Sequence, residues 1–379
     1  MGEKMGNSVN RKLVMFPSDD GQWGNHHLLK EIGLIPYHMY QELGYESILL
    51  SRDRGPYDYL NKFLNGLQME FIPTGALEER INYVIDYAKN IDLLMMTGAF
   101  HDNLYVAMTY RQLRPDGKIW LQLDMNVAFA DYLFAENPEL AEFGNICDLI
   151  TVASRRLQDY LNLKWTWKVY YFPHTYLDSL FNYANVDYTR KKNVILTVGR
   201  LGNWQKGTDV LLEAFAKVAS ILPEWELRLI GRVEDNFLPW IEDYFNRFSE
   251  LKGRVLFLGQ IDDKAKLIHE YEEAKVFAFP SRMEGGMANS MIEAMRAGCA
   301  MLVTQFEAYD EAIGYGVAGM ASEIDDIDAF AENMVSICLS SELESMCNNS
   351  CEYAKEHFDC RKNVRVVDEL LFGDRYDKN

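Results

Sequence analysis

The sequence predicts an α/β protein of two domains, each built on a parallel sheet. Short continuous apolar runs alternate with helical patterns along the chain, as in βαβ units whose strands are buried on both faces. The alternation pauses at a charged run, YTRKKN (188–193), and then restarts. A length of 379 residues suits two domains of ordinary size, each able to bury its own core.

The first strand is KLVMFP (12–17). It runs into SDDGQWGNHH and a helical pattern, LLKEIGLIPYHMYQELG, which Pro36 is expected to interrupt. SILLS (47–51) follows Gly44 and completes a βαβ opening. Gly21 and Gly24 in the first loop either let a ligand approach the backbone or simply make a turn. The loop lacks G-x-G-x-x-G spacing, which disfavours a nicotinamide cofactor. Further strands are read at IDLLMMTGAF (91–100), KIWLQLD (118–124) and CDLITVAS (147–154). Ligands of such sheets bind beyond the carboxyl ends of the strands. His101 and Asp102 stand at one such end, and Asp124 and Asn126 at the next. The second domain repeats the pattern with strands VILTVGR (194–200), ELRLIG (226–231), RVLFLG (254–259), KVFAFP (275–280) and AMLVT (300–304). Helices are expected at 208–222 and 264–274, and the amphipathic tail DCRKNVRVVDELLFGDRY reads as a last helix. Domain limits are placed at 1–180, 181–355 and 356–379, the last being the terminal helix.

Charge excludes some partners. A net charge of −19 and a pI near 4.8 disfavour nucleic acid, which needs a basic footprint, and leave at most peripheral contact with an anionic membrane. No apolar run reaches the roughly 18 residues of a membrane span, and MGEKMGNSVNRK lacks a signal-peptide core. The six cysteines show neither C-x-x-C nor metal spacing, consistent with reduced thiols. A cytoplasmic protein is the expectation.

Two loops carry the chemistry. In PSRMEGGMANSMIEAMRAGC (280–299) a strand ends at a proline, a glycine-bearing loop follows, and a helix begins. Backbone N–H groups and the positive end of a helix dipole at one point favour a phosphate. Glu284 and Glu293 flank that point, and carboxylates accept from hydroxyls rather than bind phosphate; phosphate beside hydroxyl acceptors describes a nucleotide sugar. Each feature also has a structural alternative. Ser290 and Glu293 have capping-box spacing, as do Ser281 and Glu284, and Gly285 and Gly286 can be plain turn residues. In VGRLGNWQKG (198–207), Arg200 offers a planar fork and Lys206 a compact charge for a diphosphate, ahead of a helix capped by Thr208 or Asp209. In LGQIDD (258–263), Asp262 or Asp263 reads as an N-cap, or else as a nucleobase contact.

These stretches resemble the retaining GT-B glycosyltransferases of family 4 (glycosyl transferases group 1). VGRLGNWQKGTDVLLEAF, FLGQIDD, EEAKVFAFPS and EAMRAG resemble the donor-domain signature, ELGYESILLS its second strand, and the DCRKNV tail its last helix. The resemblance implies two Rossmann-like domains facing an interdomain cleft, with the C-terminal helix crossing back to the N-terminal domain. It implies a diphosphate held by Arg200, Lys206 and the amides of Gly285 to Met287. Glu293 would take the ribose hydroxyls, Ile261 and Asp263 would lie at the base-contacting loop, and His101 would lie near the transferred sugar. Gly21 and Gly24 correspond to the family's N-terminal glycine-rich loop.

Two departures stand out. The family's paired glutamates have seven residues between them and Glu284 and Glu293 have eight; the family's Pro-Asn-Gly-like hinge reads Pro173-His174-Thr175. The expected activity is transfer of a hexose from a nucleotide-diphosphate sugar to a hydroxyl on a glycan, glycoprotein or glycolipid. No cofactor is expected beyond the donor co-substrate, and no metal, since Asp-x-Asp is absent at the strand ends. A GT-B phosphorylase or a sugar-nucleotide epimerase is the enzyme alternative. The other is a catalytically silent protein that binds a nucleotide sugar or a partner glycosyltransferase.

Overall fold

The computed structural model describes residues 11–16, 24–52 and 55–373. Contacts divide the chain into two units. The first comprises residues up to Thr175 and those from Asp359 onwards; the second is Tyr176–Phe358. The sequence placed these divisions at 180/181 and 355/356.

The first unit contains β1 (Lys12–Met15), β2 (Glu46–Ser51), β3 (Gln68–Phe71), β4 (Leu93–Thr97), β5 (Lys118–Leu123), β6 (Leu149–Val152) and β7 (Tyr170–Tyr171) in the order β3-β2-β1-β4-β5-β6-β7. All paired neighbours run parallel. Val14, Ile48, Leu94, Met96 and Leu121 pack into one core. The alternate residues Leu13, Leu49, Met95 and Trp120 are also fully buried, so both faces of the sheet are covered and the runs read as continuously apolar. The sequence does not predict β3 or β7. Both are edge strands, one half-exposed and one two residues long, and neither carries the doubly buried pattern.

Pro36 does not interrupt its helix, contrary to expectation. The helix runs unbroken over Glu31–Leu43 with Pro36 inside it. The break falls earlier, at Lys30, after a 3₁₀ turn Asn25–Leu29. Proline removes one backbone bond from this helix, and the burial of Leu34, Ile35 and Met39 around it outweighs that loss.

The terminal helix Cys360–Phe372 belongs to the first unit. Its Asp368, 1% exposed, accepts from Arg11 Nη1 at 3.1 Å and from the Tyr45 hydroxyl. Burial, and then Asp368 itself, pushes the Tyr45 hydroxyl pKa well up, so it remains a donor. Arg365 pairs with Glu42 at 2.7 Å nearer the surface.

The second unit contains β8 (Lys192–Val198), β9 (Glu226–Ile230), β10 (Val255–Gly259), β11 (Ala274–Phe279), β12 (Ala300–Thr304) and β13 (Gly319–Ser322), ordered β10-β9-β8-β11-β12-β13 and parallel throughout. Ile195, Leu227, Leu229, Val276 and Leu302 point into one core. Val194, Leu196, Ile230, Phe277 and Val303 point into the other. The sequence does not predict β13, an edge strand whose residues, GMAS, are mostly small. The order of strand addition reverses between the parallel neighbours β8 and β11, which is the switch point where sheets of this kind bind ligands.

The cysteines are free thiols, buried except for the half-buried Cys147. Burial pushes the Cys299 thiol up to about 12, which keeps it inert. Among the described residues no helix is long and apolar enough to cross a membrane.

Asp368→Ala would remove a buried acceptor shared by the partly buried Arg11 guanidinium and the buried Tyr45 hydroxyl, and is expected to destabilise the first unit by about 2 kcal/mol. Arg365→Ala, at the surface, should stay within about 0.5 kcal/mol. Urea unfolding of the two variants checks the contrast.

Candidate functional site

The two chemistry-bearing loops leave β8 and β11 side by side. After β8, Gly199 and the exposed Arg200 lead into a 3₁₀ turn, Trp204–Lys206, and the helix Thr208–Val218. Neither Thr208 nor Asp209 caps this helix, contrary to expectation. The N-cap is Gly207, in the left-handed region, and Thr208 Oγ1 instead accepts from Gly202 N–H at 2.9 Å. A Cβ on Gly207 would stand 2.0 Å from the Pro280 carbonyl oxygen. Only glycine allows that φ together with so close an approach between the loops. Gly231 plays the same part under Gly199, whose carbonyl oxygen would be 1.8 Å from an added Cβ.

Hydrogen bonds join the loops. Arg282 N–H donates to the Gln205 carbonyl at 2.7 Å, and Gln205 Nε2 donates to the Met283 carbonyl at 2.7 Å. The Arg282 guanidinium, 9% exposed, donates to Asp209 at 2.7 and 3.1 Å, to Asp325 at 2.6 Å and to the Trp204 carbonyl at 2.7 Å. In sequence Arg282 is marked only as an arginine inside the glycine-bearing loop of an acidic chain, and no predicted role attaches to it.

Two carboxylate–lysine pairs lie within this frame. Lys206 Nζ is ion-paired with Glu284 Oε1, and both side chains are largely buried. Ser281 Oγ donates to the same Glu284 oxygen at 2.7 Å, so the Ser-x-x-Glu spacing links two side chains in the loop and caps no helix. Lys206 Nζ also stands 5.0 Å from the centroid of the Phe279 ring. Arg200 and Lys206 line one pocket with Thr197, Gly199 and Pro280.

Glu293 is paired with Lys264. The helix Asn289–Arg296 is N-capped by Ala288 without a side-chain bond, so Ser290 and Glu293 form no capping box. Burial, and then the Glu293 charge, raises the Tyr271 hydroxyl well above its usual pKa. Gly285 and Gly286 lead into Met287, whose side chain is buried in the core. The helix closes with Gly298 N–H on Met295 O and Cys299 N–H on Ala294 O, each at 2.9 Å, which satisfies its last carbonyls. Asp263 caps the helix Lys264–Glu273 by accepting from Ala265 N–H and Lys266 N–H, and Ile261 packs at the edge of the core. Lys264, which follows the cap directly, brings the Ile261–Asp263 loop against Glu293. In sequence Lys264 reads only as the first residue of a helix.

The first-unit candidates sit on their own sheet. His101 opens the helix His101–Leu113 at the carboxyl end of β4, and its Nε2 lies 2.5 Å from Glu139 Oε1. That contact holds the Glu139 carboxyl below its ordinary range. Gly24 N–H donates to His27 Nδ1 at 2.8 Å. Gly21 lies outside the described residues.

Residues 192–339 match the family of glycosyl transferases group 1. The fold is of the GT-B type. Its fold is similar to that of sucrose-phosphate synthase from Thermosynechococcus elongatus, with a TM-score of 0.71, 18% identity, and 95% of this chain and 98% of that one covered. Anabaena HepE in complex with UDP is similar at a TM-score of 0.72, 15% identity and 95% and 98% coverage. In sequence, the phosphatidyl-myo-inositol mannosyltransferase of Mycolicibacterium smegmatis is 28% identical over 158 residues, 42% of this chain and 39% of that protein. The chain thus spans about two fifths of the length of that curated relative.

Arg282→Ala would remove the buried guanidinium that ties the two loops together, while Asp209 and Asp325 remain partly open to water. The expected loss is about 2 kcal/mol of stability, read by chemical unfolding. Arg282→Lys should recover only part of it, because a lysine lacks the planar fork that reaches Asp209, Asp325 and Trp204 together.

Proposed function

We propose that the chain transfers a hexose from a nucleotide-diphosphate sugar to an acceptor hydroxyl, with retention of configuration and without a metal at the donor site. The observation that carries this reading is the convergence of Arg200, Lys206 and Glu284 where two loops meet at the switch point of the second sheet. The match over residues 192–339, a relative named as a mannosyltransferase, and fold neighbours solved with UDP and with UDP-glucose support a nucleotide-sugar donor.

In this reading the diphosphate draws Lys206 away from Glu284 and takes Arg200 as its second cation. Amides of Gly285 to Met287 add donors. Glu284, released, accepts from hydroxyls of the sugar. Glu293, held in place by its ion pair with Lys264, accepts from the ribose hydroxyls, and Ile261 and Asp263 flank the base. His101 takes the place beside the transferred sugar that the resemblance gives it. The bond from the anomeric carbon to the diphosphate oxygen breaks and the bond to the acceptor oxygen forms on the same face. The acceptor proton passes to the departing phosphate. The protein's contribution is charge stabilisation of the leaving group and orientation of the acceptor. The acceptor class is a hydroxyl on a glycan, glycoprotein or glycolipid.

A catalytically silent nucleotide-sugar binder is the second reading. It is favoured by the extra residue between Glu284 and Glu293 and by the engagement of Lys206 with Glu284. The test is nucleotide release from UDP-, GDP- and ADP-sugars in the presence of EDTA, for the wild type and Lys206→Ala. Slow hydrolysis of one donor, reduced about a hundredfold or more in the variant, is the expected result. Thermal stabilisation by a nucleotide sugar without release or transfer to any acceptor would favour the silent binder. Neither release nor stabilisation would overturn both.

A further inference from the structure

The first unit gathers a second group of side chains that the donor site does not use. Glu31 opens the helix Glu31–Leu43, Asp124 follows β5, and His174 follows β7. These positions are far apart in sequence, yet one ligand atom from each lies within 4.8 Å of the other two. His174 Nε2 is 4.0 Å from Asp124 Oδ1. Glu31 is only 8% exposed, and its Oε2 is buried with no hydrogen-bond partner. A carboxylate oxygen withdrawn from water without a donor is costly, so its place beside a second carboxylate and an imidazole calls for a positive ligand.

We infer that Glu31, Asp124 and His174 bind a divalent cation. An imidazole nitrogen with two carboxylate oxygens suits Zn²⁺ or Mn²⁺, whereas Mg²⁺ and Ca²⁺ prefer oxygen alone. Bonds of about 2.0–2.2 Å to such an ion require the three ligand atoms to draw in from their present spacing. The Asp124 side chain, 60% exposed, is free to make that movement, while Glu31 and His174 are held by burial. The exposed side of the cluster leaves coordination positions for water or another oxygen ligand. In sequence Asp124 and His174 stand out separately, at a strand end and in the altered hinge, and nothing links them to Glu31, which opens a helix elsewhere.

The test uses the full chain stripped with EDTA. Zn²⁺ is titrated in competition with a chromophoric chelator, and free Mn²⁺ is followed by its electron paramagnetic resonance signal. One saturable site per chain is expected for at least one of the two ions. Asp124→Asn should weaken it by at least tenfold, since even outer-shell partners of a metal are worth roughly 10–100-fold in affinity. His174→Asn should do the same. Asp124 is exposed, so its variant keeps the fold, which circular dichroism checks. Asp116→Asn, at an acidic surface position 85% exposed, controls for diffuse attraction to an acidic protein and should leave the site unchanged. Absence of a saturable site for both ions, or a site that Asp124→Asn leaves intact, or one that Asp116→Asn weakens equally, would overturn the inference.

Discussion

The Arg282 guanidinium is the contact on which the candidate site of the second unit depends. It lies between the loop after β8 and the loop after β11 and donates to Asp209, Asp325 and the Trp204 carbonyl. A buried guanidinium is stable only when its donors are taken up, so the surrounding groups are fixed as a set. That fixes where Lys206 and Glu284 meet, because both belong to the joined segments. The absence of a side chain at Gly207 is the second constraint, since it lets the first loop pass against the Pro280 carbonyl.

Within this frame the electrostatics are balanced locally. The chain carries a net charge of −19, yet each of the two site carboxylates faces a lysine. The pairs differ in character. Lys206 shares a pocket with Arg200, so an entering anion would compete with Glu284 for it. Lys264 comes from the start of the neighbouring helix, and it fixes Glu293 in place. The Lys264–Glu293 pair is thus the preorganised one, needing little rearrangement when a ligand arrives, whereas the Lys206–Glu284 pair must open.

Much of the architecture was legible because strands buried on both faces leave continuous apolar runs. VILTV, FAF and LLMM each declare a strand without help from their neighbours. Three of the four edge strands, β3, β7 and β13, do not and were missed, whereas the fourth, β10, keeps the apolar run VLFLG and was read. Helix starts were less legible than helix bodies. Thr208 and Ser290 each suit a cap by type, but Gly207 and Ala288 occupy those positions, because the loop path and not residue preference set where each helix begins. Asp263 was read as a cap and serves as one. Pro36 read as a break and is carried inside a helix, since packing on the flanking residues exceeds one lost backbone bond.

By itself the sequence determined two parallel-sheet domains, the loops that carry cations and glycines, and the match of residues 192–339 to the model of glycosyl transferases group 1. Those features are local in the chain, being patterns of burial and turn chemistry over ten to twenty residues. Only the tertiary structure decided which charges meet. The pairs Lys206–Glu284 and Lys264–Glu293, the Arg282 junction, and the Glu31, Asp124 and His174 group all join residues distant along the chain. Strand order in the sheet determines such neighbours, and strand order is a property of the folded chain that no single segment encodes.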